Sequence, residues 1–145
     1  MNEVLLNYFI SDLGSYIYNN MGGSNKACHE KGYHYLTGNG EYRTIRSESW
    51  EGYESYTDCR CSFYAPGAKR MRVHIYQFWS ESSDWFRVRA GMGPGGGYEV
   101  LGLNGLWGDS SNSWDFETNM LHIRWYTNCC YEEKGWDGYV QRLDY

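Results

Sequence analysis

The stretch "KRMRVHIYQFW", Lys69 to Trp79, carries the strongest two-residue periodicity in the chain. Three apolar residues alternate with three polar ones along it, namely Met71, Val73 and Ile75 against Arg70, Arg72 and His74. Successive side chains of a β-strand point to opposite faces. The pattern therefore predicts a strand with one face in a core and the other in water.

The residues before this stretch predict a second strand. Cys59, Cys61 and Phe63 fall on one face by the same alternation, and "APG" (Ala65 to Gly67) is a typical turn sequence. We expect a hairpin-like connection between the two strands.

Later segments repeat the alternation. They are "DWFRVRAG" (Asp84 to Gly91), "NMLHIRWY" (Asn119 to Tyr126) and "GWDGYVQRL" (Gly135 to Leu143), and "GPGGG" (Gly93 to Gly97) breaks the pattern between the first two. The 145-residue chain has 19% aromatic residues and 18 glycines. Short strands separated by glycine-rich turns in a chain of this length predict one all-β domain, an antiparallel β-sandwich.

Charge and cysteine content exclude several classes of protein. The net charge of -5 argues against nucleic acid as a partner, because a protein that binds nucleic acid needs a basic surface. No apolar run is long enough to predict a membrane span. Five cysteines without the paired spacing of a zinc site predict disulfides, and therefore a secreted, extracellular protein.

From about Cys28 to Tyr139 the chain resembles a CUB domain, a secreted β-sandwich module of complement proteases and spermadhesins. The first matching segment carries Cys59, Phe63, Ala65, Pro66, Arg70, Met71, Val73 and Ile75, with Gly67 one place early. The other matching segments are Phe78 to Glu81, Ser83 to Gly91, Asn119 to Trp125 and Gly135 to Gly138. The resemblance implies a CUB-like jelly roll over residues 28–145, preceded by an N-terminal extension over residues 1–27.

The cysteines depart from the family pattern. Serines 82 and 83 and Trp107 stand where the family's second disulfide would be, and Cys61 occupies a core tryptophan position. The resemblance implies a bond between Cys28 and Cys59. We expect Cys61 to pair with Cys129 or Cys130, which leaves one cysteine for an intermolecular bond, a reactive thiol or a buried inert thiol.

The resemblance also implies a calcium site. Glu81 and Asp84 match two family ligands, and Asn128 stands at the position of a third, an aspartate. Oxygen ligands suit calcium, although asparagine removes one negative charge and lowers the expected affinity. The alternative is that Glu81 and Asp84 are solvated carboxylates in a turn.

Two further surfaces are candidates for binding. Outward-facing cations could form one basic band for sulfated glycans or an acidic partner, or could simply keep the sheets soluble; they are Arg70, Arg72, Arg87, Arg89 and Arg124, with His74 and His122. Exposed tyrosines and tryptophans could be contact anchors, although many of these rings must lie in the core.

The N-terminal extension carries an alternation of its own, at Val4, Leu6, Tyr8 and Ile10. Such a segment predicts either an extra strand on its own sandwich or a strand added to the sheet of a neighbouring copy. The second arrangement would build a head-to-tail fibre.

No motif in the sequence supports catalysis. "HEKGYH" (His29 to His34) lacks the spacing of a zinc-protease helix, and the glycine run at 91–97 has no following lysine or serine. We therefore expect a non-enzymatic interaction module that binds a protein or glycan through loops at one end of the sandwich. The alternative is a self-assembling subunit of an extracellular fibre or coat.

Overall fold

The computed structural model describes residues 32–47, 58–91, 97–109, 111–128 and 134–145. Ten strands occupy these residues: β1 (Gly32–Tyr35), β2 (Tyr42–Arg46), β3 (Asp58–Tyr64), β4 (Arg70–Trp79), β5 (Trp85–Ala90), β6 (Tyr98–Leu103), β7 (Leu106–Gly108), β8 (Asn112–Phe116), β9 (Met120–Tyr126) and β10 (Gly135–Leu143). This part of the chain contains no helix long and apolar enough to span a membrane.

The strands form two five-stranded sheets. The first has the order β1-β3-β9-β5-β6. The second has the order β2-β10-β4-β7, and β8 pairs with β4 beside β7. The predicted all-β sandwich is thus confirmed. One pair departs from the antiparallel expectation, because β1 runs parallel to β3.

The predicted hairpin between β3 and β4 is wrong. The two strands lie in different sheets, since β3 pairs with β1 and β9 whereas β4 pairs with β10, β7 and β8. The turn itself is present: the Ala68 amide donates to the Ala65 carbonyl at 3.0 Å, and Gly67 has a φ of 82°, which glycine adopts without strain. The Ala65 amide bonds the Asn119 carbonyl at 2.8 Å, and the chain then crosses from one sheet to the other.

The core lies between the sheets and contains the apolar residues that alternation assigned to it. On β4 the residues Met71, Val73 and Ile75 are buried. At the centre, the Phe86 and Trp136 ring centroids lie 4.8 Å apart, and Trp125 contacts Trp136 at 6.0 Å. Edge-to-face aromatic contacts of this kind add to the hydrophobic contribution of ring burial.

A bulge between β4 and β10 shapes the outer face of the second sheet. Asp137 pairs with Gln77 and Gly138 pairs with Ile75, so Tyr76 is an extra residue on β4. A Cβ atom at Gly138 would lie 1.9 Å from the His74 carbonyl oxygen. Only glycine permits this close approach of the two strands.

Candidate functional site

The three predicted calcium ligands lie together where β4 turns into β5. The Asp84 amide donates to the Glu81 carbonyl at 3.0 Å, which closes the turn. The Asn128 amide, just after β9, donates to Asp84 Oδ1 at 2.9 Å. Ser83 connects the cluster, since its hydroxyl donates to Glu81 Oε2 and accepts from the Asn128 side-chain amide.

The carboxylate of Asp84 is not a solvated group. Only 1% of Asp84 is exposed, and its side chain fixes the segment after β9 against the β4–β5 turn. The alternative reading of two solvated carboxylates is therefore wrong for Asp84. A buried carboxylate that accepts a backbone hydrogen bond is costly to remove, because the donor would lose its partner.

The chemistry of this cluster fits a calcium ion. Glu81 and Asp84 supply two carboxylates and Asn128 a side-chain carbonyl, all hard oxygen donors. In the part of the chain that the structure describes, no three His, Cys, Asp or Glu side chains group around a common point, and this cluster supplies two carboxylates only. Calcium binding by these three residues stays a prediction.

A pair of large apolar side chains borders the carboxylates. Leu106 is 63% exposed and Trp107 is 44% exposed, both on the short strand β7. The Trp107 indole donates to the Asn104 carbonyl at 2.8 Å, and the Asn104 side-chain amide donates to the Ser82 carbonyl at 2.6 Å. We call residues 80–84, 104–107 and 127–128 together the loop rim.

Little in the sequence indicated this apolar part of the loop rim. Trp107 stands where the family has a disulfide cysteine, so an aromatic ring in place of that cysteine was the available signal. Nothing in the alternation pattern distinguished Leu106 and Trp107 from core residues, because β7 has only three residues. The structure places both on the surface because β7 is an edge strand that pairs only near Phe78 and Trp79.

The predicted arginine band is divided between the two sheets. Arg70 and Arg72 lie on β4, in the second sheet, whereas the remaining three lie on β5 and β9, in the first: Arg87, Arg89 and Arg124. The core fills the space between the sheets, so the two sets face opposite sides of the molecule. One continuous basic band is therefore not formed.

Carboxylates neutralise most of these arginines. Arg72 forms a two-bond pair with Asp115, at 2.7 and 3.0 Å, and this hydrogen bonding lowers the pKa of Asp115. Arg124 pairs in the same way with Asp58 at 3.0 Å. Burial alone would raise the pKa of Asp58, but hydrogen bonds from Arg60 and Arg124 outweigh it and lower that pKa.

The side chains of Arg87 and Arg89 also form hydrogen bonds within the protein. Arg87 donates to Glu99 at 2.7 Å and to the Tyr126 hydroxyl at 2.9 Å, and it lies over the Trp85 ring. Arg89 donates to the Gly97 carbonyl at 2.9 Å. Arg87, which is paired with a carboxylate, therefore offers little net charge to an anionic ligand, whereas the carbonyl that Arg89 contacts leaves its charge in place.

The expectation that His122 is an exposed cation is wrong. Its side chain is 2% exposed, and its Nδ1 lies 2.7 Å from the Ser62 hydroxyl on β3. Its Nε2 lies 3.0 Å from the Gly91 carbonyl oxygen. Burial lowers the pKa of His122 to about 4, so the ring is neutral at physiological pH. Ser62 is buried as well, and the two contacts of His122 link β3 to the end of β5.

The sulfur chemistry differs from the expected pairing. Cys59 is engaged in a disulfide, and the cysteine that shares it lies outside the described residues. Cys61 is a buried thiol, so the predicted bond from Cys61 to Cys129 or Cys130 is wrong in this structure. Alternation turns Cys61 into the apolar interior, 2% exposed, where a thiol packs as a small hydrophobic group.

Several predicted residues fall outside the described ranges. They are the cysteines Cys28, Cys129 and Cys130 and the alternating residues of the N-terminal extension, Val4, Leu6, Tyr8 and Ile10. The bond between Cys28 and Cys59, the boundary at residue 27 and the role of the extension stay predictions.

Comparison with solved structures identifies the fold. The full extracellular region of zebrafish Gpr126/Adgrg6 matches with a TM-score of 0.61 and 14% identity, over 77% of this chain and 14% of that one. The CUB1-EGF-CUB2 domains of rat MASP-1 match with a TM-score of 0.61 and 16% identity, over 77% of this chain and 44% of that one. This chain thus spans less than half of either of these two structures.

A single CUB domain matches over most of its own length. The MASP-1 CUB2 domain bound to Ca2+ gives a TM-score of 0.54 and 14% identity, over 72% of this chain and 95% of that one. Comparison with protein-family models finds no matching model, and comparison with curated proteins finds no similar sequence. The structural matches show that this chain has a CUB-like β-sandwich fold.

Proposed function

We propose that this chain is a non-catalytic, extracellular interaction module that binds a partner protein at the loop rim. One observation carries the proposal: exposed Trp107, which lies next to exposed Leu106, is joined by hydrogen bonds, through Asn104 and Ser82, to the turn that holds Glu81 and Asp84. Tryptophan is among the residues that dominate the binding energy of protein interfaces. The similar folds in extracellular regions support an extracellular setting.

The partner is a protein rather than a small molecule. Leu106 and Trp107 project from an edge strand, and such convex apolar groups fit into a pocket on another protein. The neighbouring polar groups, Glu81 and Asn128, provide the polar border that surrounds the apolar centre of most interfaces.

Calcium, when bound, would be held by Glu81, Asp84 and Asn128. The ion would link the β4–β5 turn to the segment after β9 and so keep the loop rim in one conformation before the partner arrives. Preorganisation of this kind lowers the entropic cost of binding. The Ca2+-bound state of the similar MASP-1 CUB2 domain supports this assignment.

A panel of purified extracellular protein domains tests the proposal. The full chain, displayed as an oligomer to raise avidity, is expected to capture at least one domain in calcium-containing buffer. Trp107→Ala should lower the affinity for that domain about tenfold or more, in line with a loss of about 2 kcal/mol. Tyr98→Ala is the matched control, because Tyr98 is 64% exposed on β6, away from the loop rim. Failure to capture any domain, or equal loss in both variants, would reject the loop rim as the docking site.

Self-assembly is the second candidate, and the exposed edge of the first sheet favours it. Among the described strands, β6 is the last in that sheet, with Val100 and Leu101 half-buried along it. An edge strand can accept an added strand from another chain. Size-exclusion chromatography with and without reductant, before and after removal of residues 1–20, decides this: a monomer in all four conditions contradicts assembly.

A further inference from the structure

A track of three tyrosines crosses the outer face of the second sheet. Tyr42 on β2 and Tyr76 on β4 both lie 5.8 Å from Tyr139 on β10, between ring centroids. Tyr42 is 59% exposed and Tyr76 is 47% exposed. Contiguous exposed aromatic groups on a sheet face are uncommon unless they bind something.

Strand register makes this track a diagonal line. Tyr139 pairs with Thr44 and His74, and Tyr42 pairs with Gln141, two residues further along β10. Tyr76 is the bulged residue beside Gly138, on the other side of Tyr139 along the strand. The three rings therefore step across three neighbouring strands with equal spacing. The planes of Tyr42 and Tyr76 are inclined to that of Tyr139 by 62° and 59°. A ligand that contacts all three rings must therefore be extended.

The rings are held in place before any ligand binds. Tyr139 stacks on His74, and the His74 ring is fixed at both nitrogens: Nε2 lies 2.7 Å from the Ser111 hydroxyl, and Nδ1 bonds the Ser113 hydroxyl. Tyr76 meets His74 edge to face at 4.8 Å. Rigid aromatic side chains lose little conformational entropy when they bind a ligand.

Polar groups surround the track and balance each other in charge. Arg46 pairs across the strands with Asp137, and Arg72 is neutralised by Asp115. Burial raises the pKa of Asp137, while a hydrogen bond from Gln77 and the charges of Arg46 and His74 act to lower it. Asp137 Oδ1 is buried and has no hydrogen-bond partner within the described residues. Because the charges on this face are balanced, the face favours an uncharged ligand.

We propose that the Tyr42–Tyr139–Tyr76 track is a binding site for an unbranched, neutral oligosaccharide. The C–H face of a pyranose ring packs on the electron-rich face of an aromatic ring, and sugar hydroxyls would bond the side-chain amide of Gln141 and the hydroxyl of Thr44. This site lies on the outer sheet face and is separate from the loop rim. A second copy of the chain fits less well, because the outward residues described on these three strands include no aliphatic side chain to form an apolar interface centre.

Isothermal titration calorimetry of the full chain tests the site with four neutral hexasaccharides. The probes are β-1,4-linked oligomers of glucose, mannose, xylose and N-acetylglucosamine. We expect saturable binding of at least one. Tyr42→Ala and Tyr139→Ala should each weaken it about tenfold or more, whereas Tyr98→Ala, an equally exposed tyrosine on the first sheet, should leave it within about twofold.

Three results overturn the proposal. One is no binding of any of the four probes to the wild-type chain. Another is binding that both Tyr42→Ala and Tyr139→Ala retain, since the sugar would then lie elsewhere. The third is a wild-type dimer in sedimentation equilibrium that Tyr42→Ala dissociates, which would assign the track to a second copy. Tyr42 is largely exposed, so its replacement leaves the core intact and the comparison valid.

Discussion

Tyr139 of β10 stacks on His74 of β4, with ring centroids 4.8 Å apart and ring planes inclined by 14°. The stack is possible because the bulge at Tyr76 and the close approach at Gly138 bring these two strands into register at this point. The arrangement of side chains on the outer face of the second sheet therefore depends on Gly138.

Replacement of that glycine should destabilise the fold. In Gly138→Ala the new methyl group would lie 1.9 Å from the His74 carbonyl oxygen, so the strands must separate. We expect a loss of about 2–3 kcal/mol in the free energy of unfolding, measured by chemical denaturation. Gly38→Ala is the matched control, because a Cβ atom there meets nothing within 4 Å. Equal stability of the two variants would contradict the assigned register.

The buried His122 should make stability depend on pH. The pKa of His122 is about 4 in the folded chain, against 6.5 for an unperturbed histidine, so the unfolded chain binds the proton more tightly. This contribution to stability is complete above about pH 6.5 and is lost as the pH falls towards 4, by about 3 kcal/mol in total. The variant His122→Gln should show a flatter dependence between these pH values in denaturation experiments. Identical slopes for wild type and variant would contradict the buried neutral ring.

Much of the sandwich followed from alternation. The inward faces of β4, β5 and β9 were predicted because their apolar residues repeat every second position, at Val73, Val88 and Ile123 among others. Strands β1, β2, β6, β7 and β8 were not predicted. In β2, for example, the exposed residues leave no such repeat, because only Ile45 is buried. The sequence also did not indicate to which sheet each strand belongs, because a turn such as "APG" can occur both in a hairpin and in a crossing between sheets.

Some residues of the candidate sites were likewise predicted from the sequence, and others were not. Glu81, Asp84 and Asn128 were found because a family motif places them, and the structure brings them together. The tyrosine track was missed, since its residues come from three separate strands whose register the sequence does not reveal. The arginine band was overestimated because Asp58 and Asp115, which neutralise it, are distant in sequence from the arginines that they bind.

Neutralised arginines should bind sulfated glycans weakly. We expect the wild-type chain to elute from a heparin column below roughly 0.15 M salt. The double variant Asp115→Asn and Glu99→Gln releases Arg72 and Arg87 and should elute later. Asp109→Asn controls for loss of an exposed negative charge, since Asp109 contacts Trp79 rather than an arginine. Strong retention of the wild-type chain would restore the basic-band hypothesis.

The two cysteines of β3 should react differently. Native protein treated with iodoacetamide should keep Cys61 unmodified, because the thiol is buried. After unfolding without reductant, Cys61 should be alkylated while Cys59 stays protected in its disulfide. Peptide mapping by mass spectrometry reads out both sites. A peptide in which Cys61 is disulfide-linked to Cys129 or Cys130 would contradict this assignment.

A calcium titration followed by amide NMR tests the loop rim most directly. The account predicts saturable shifts concentrated in residues 80–84, 104–107 and 127–128, because one ion would link the β4–β5 turn to the segment after β9. Asp84→Asn should abolish them, and Asp144→Asn, a carboxylate change next to Arg142, should leave them unchanged. Shifts scattered over unrelated carboxylates, or none at millimolar calcium, would contradict the claim that these residues form one ion-held docking surface.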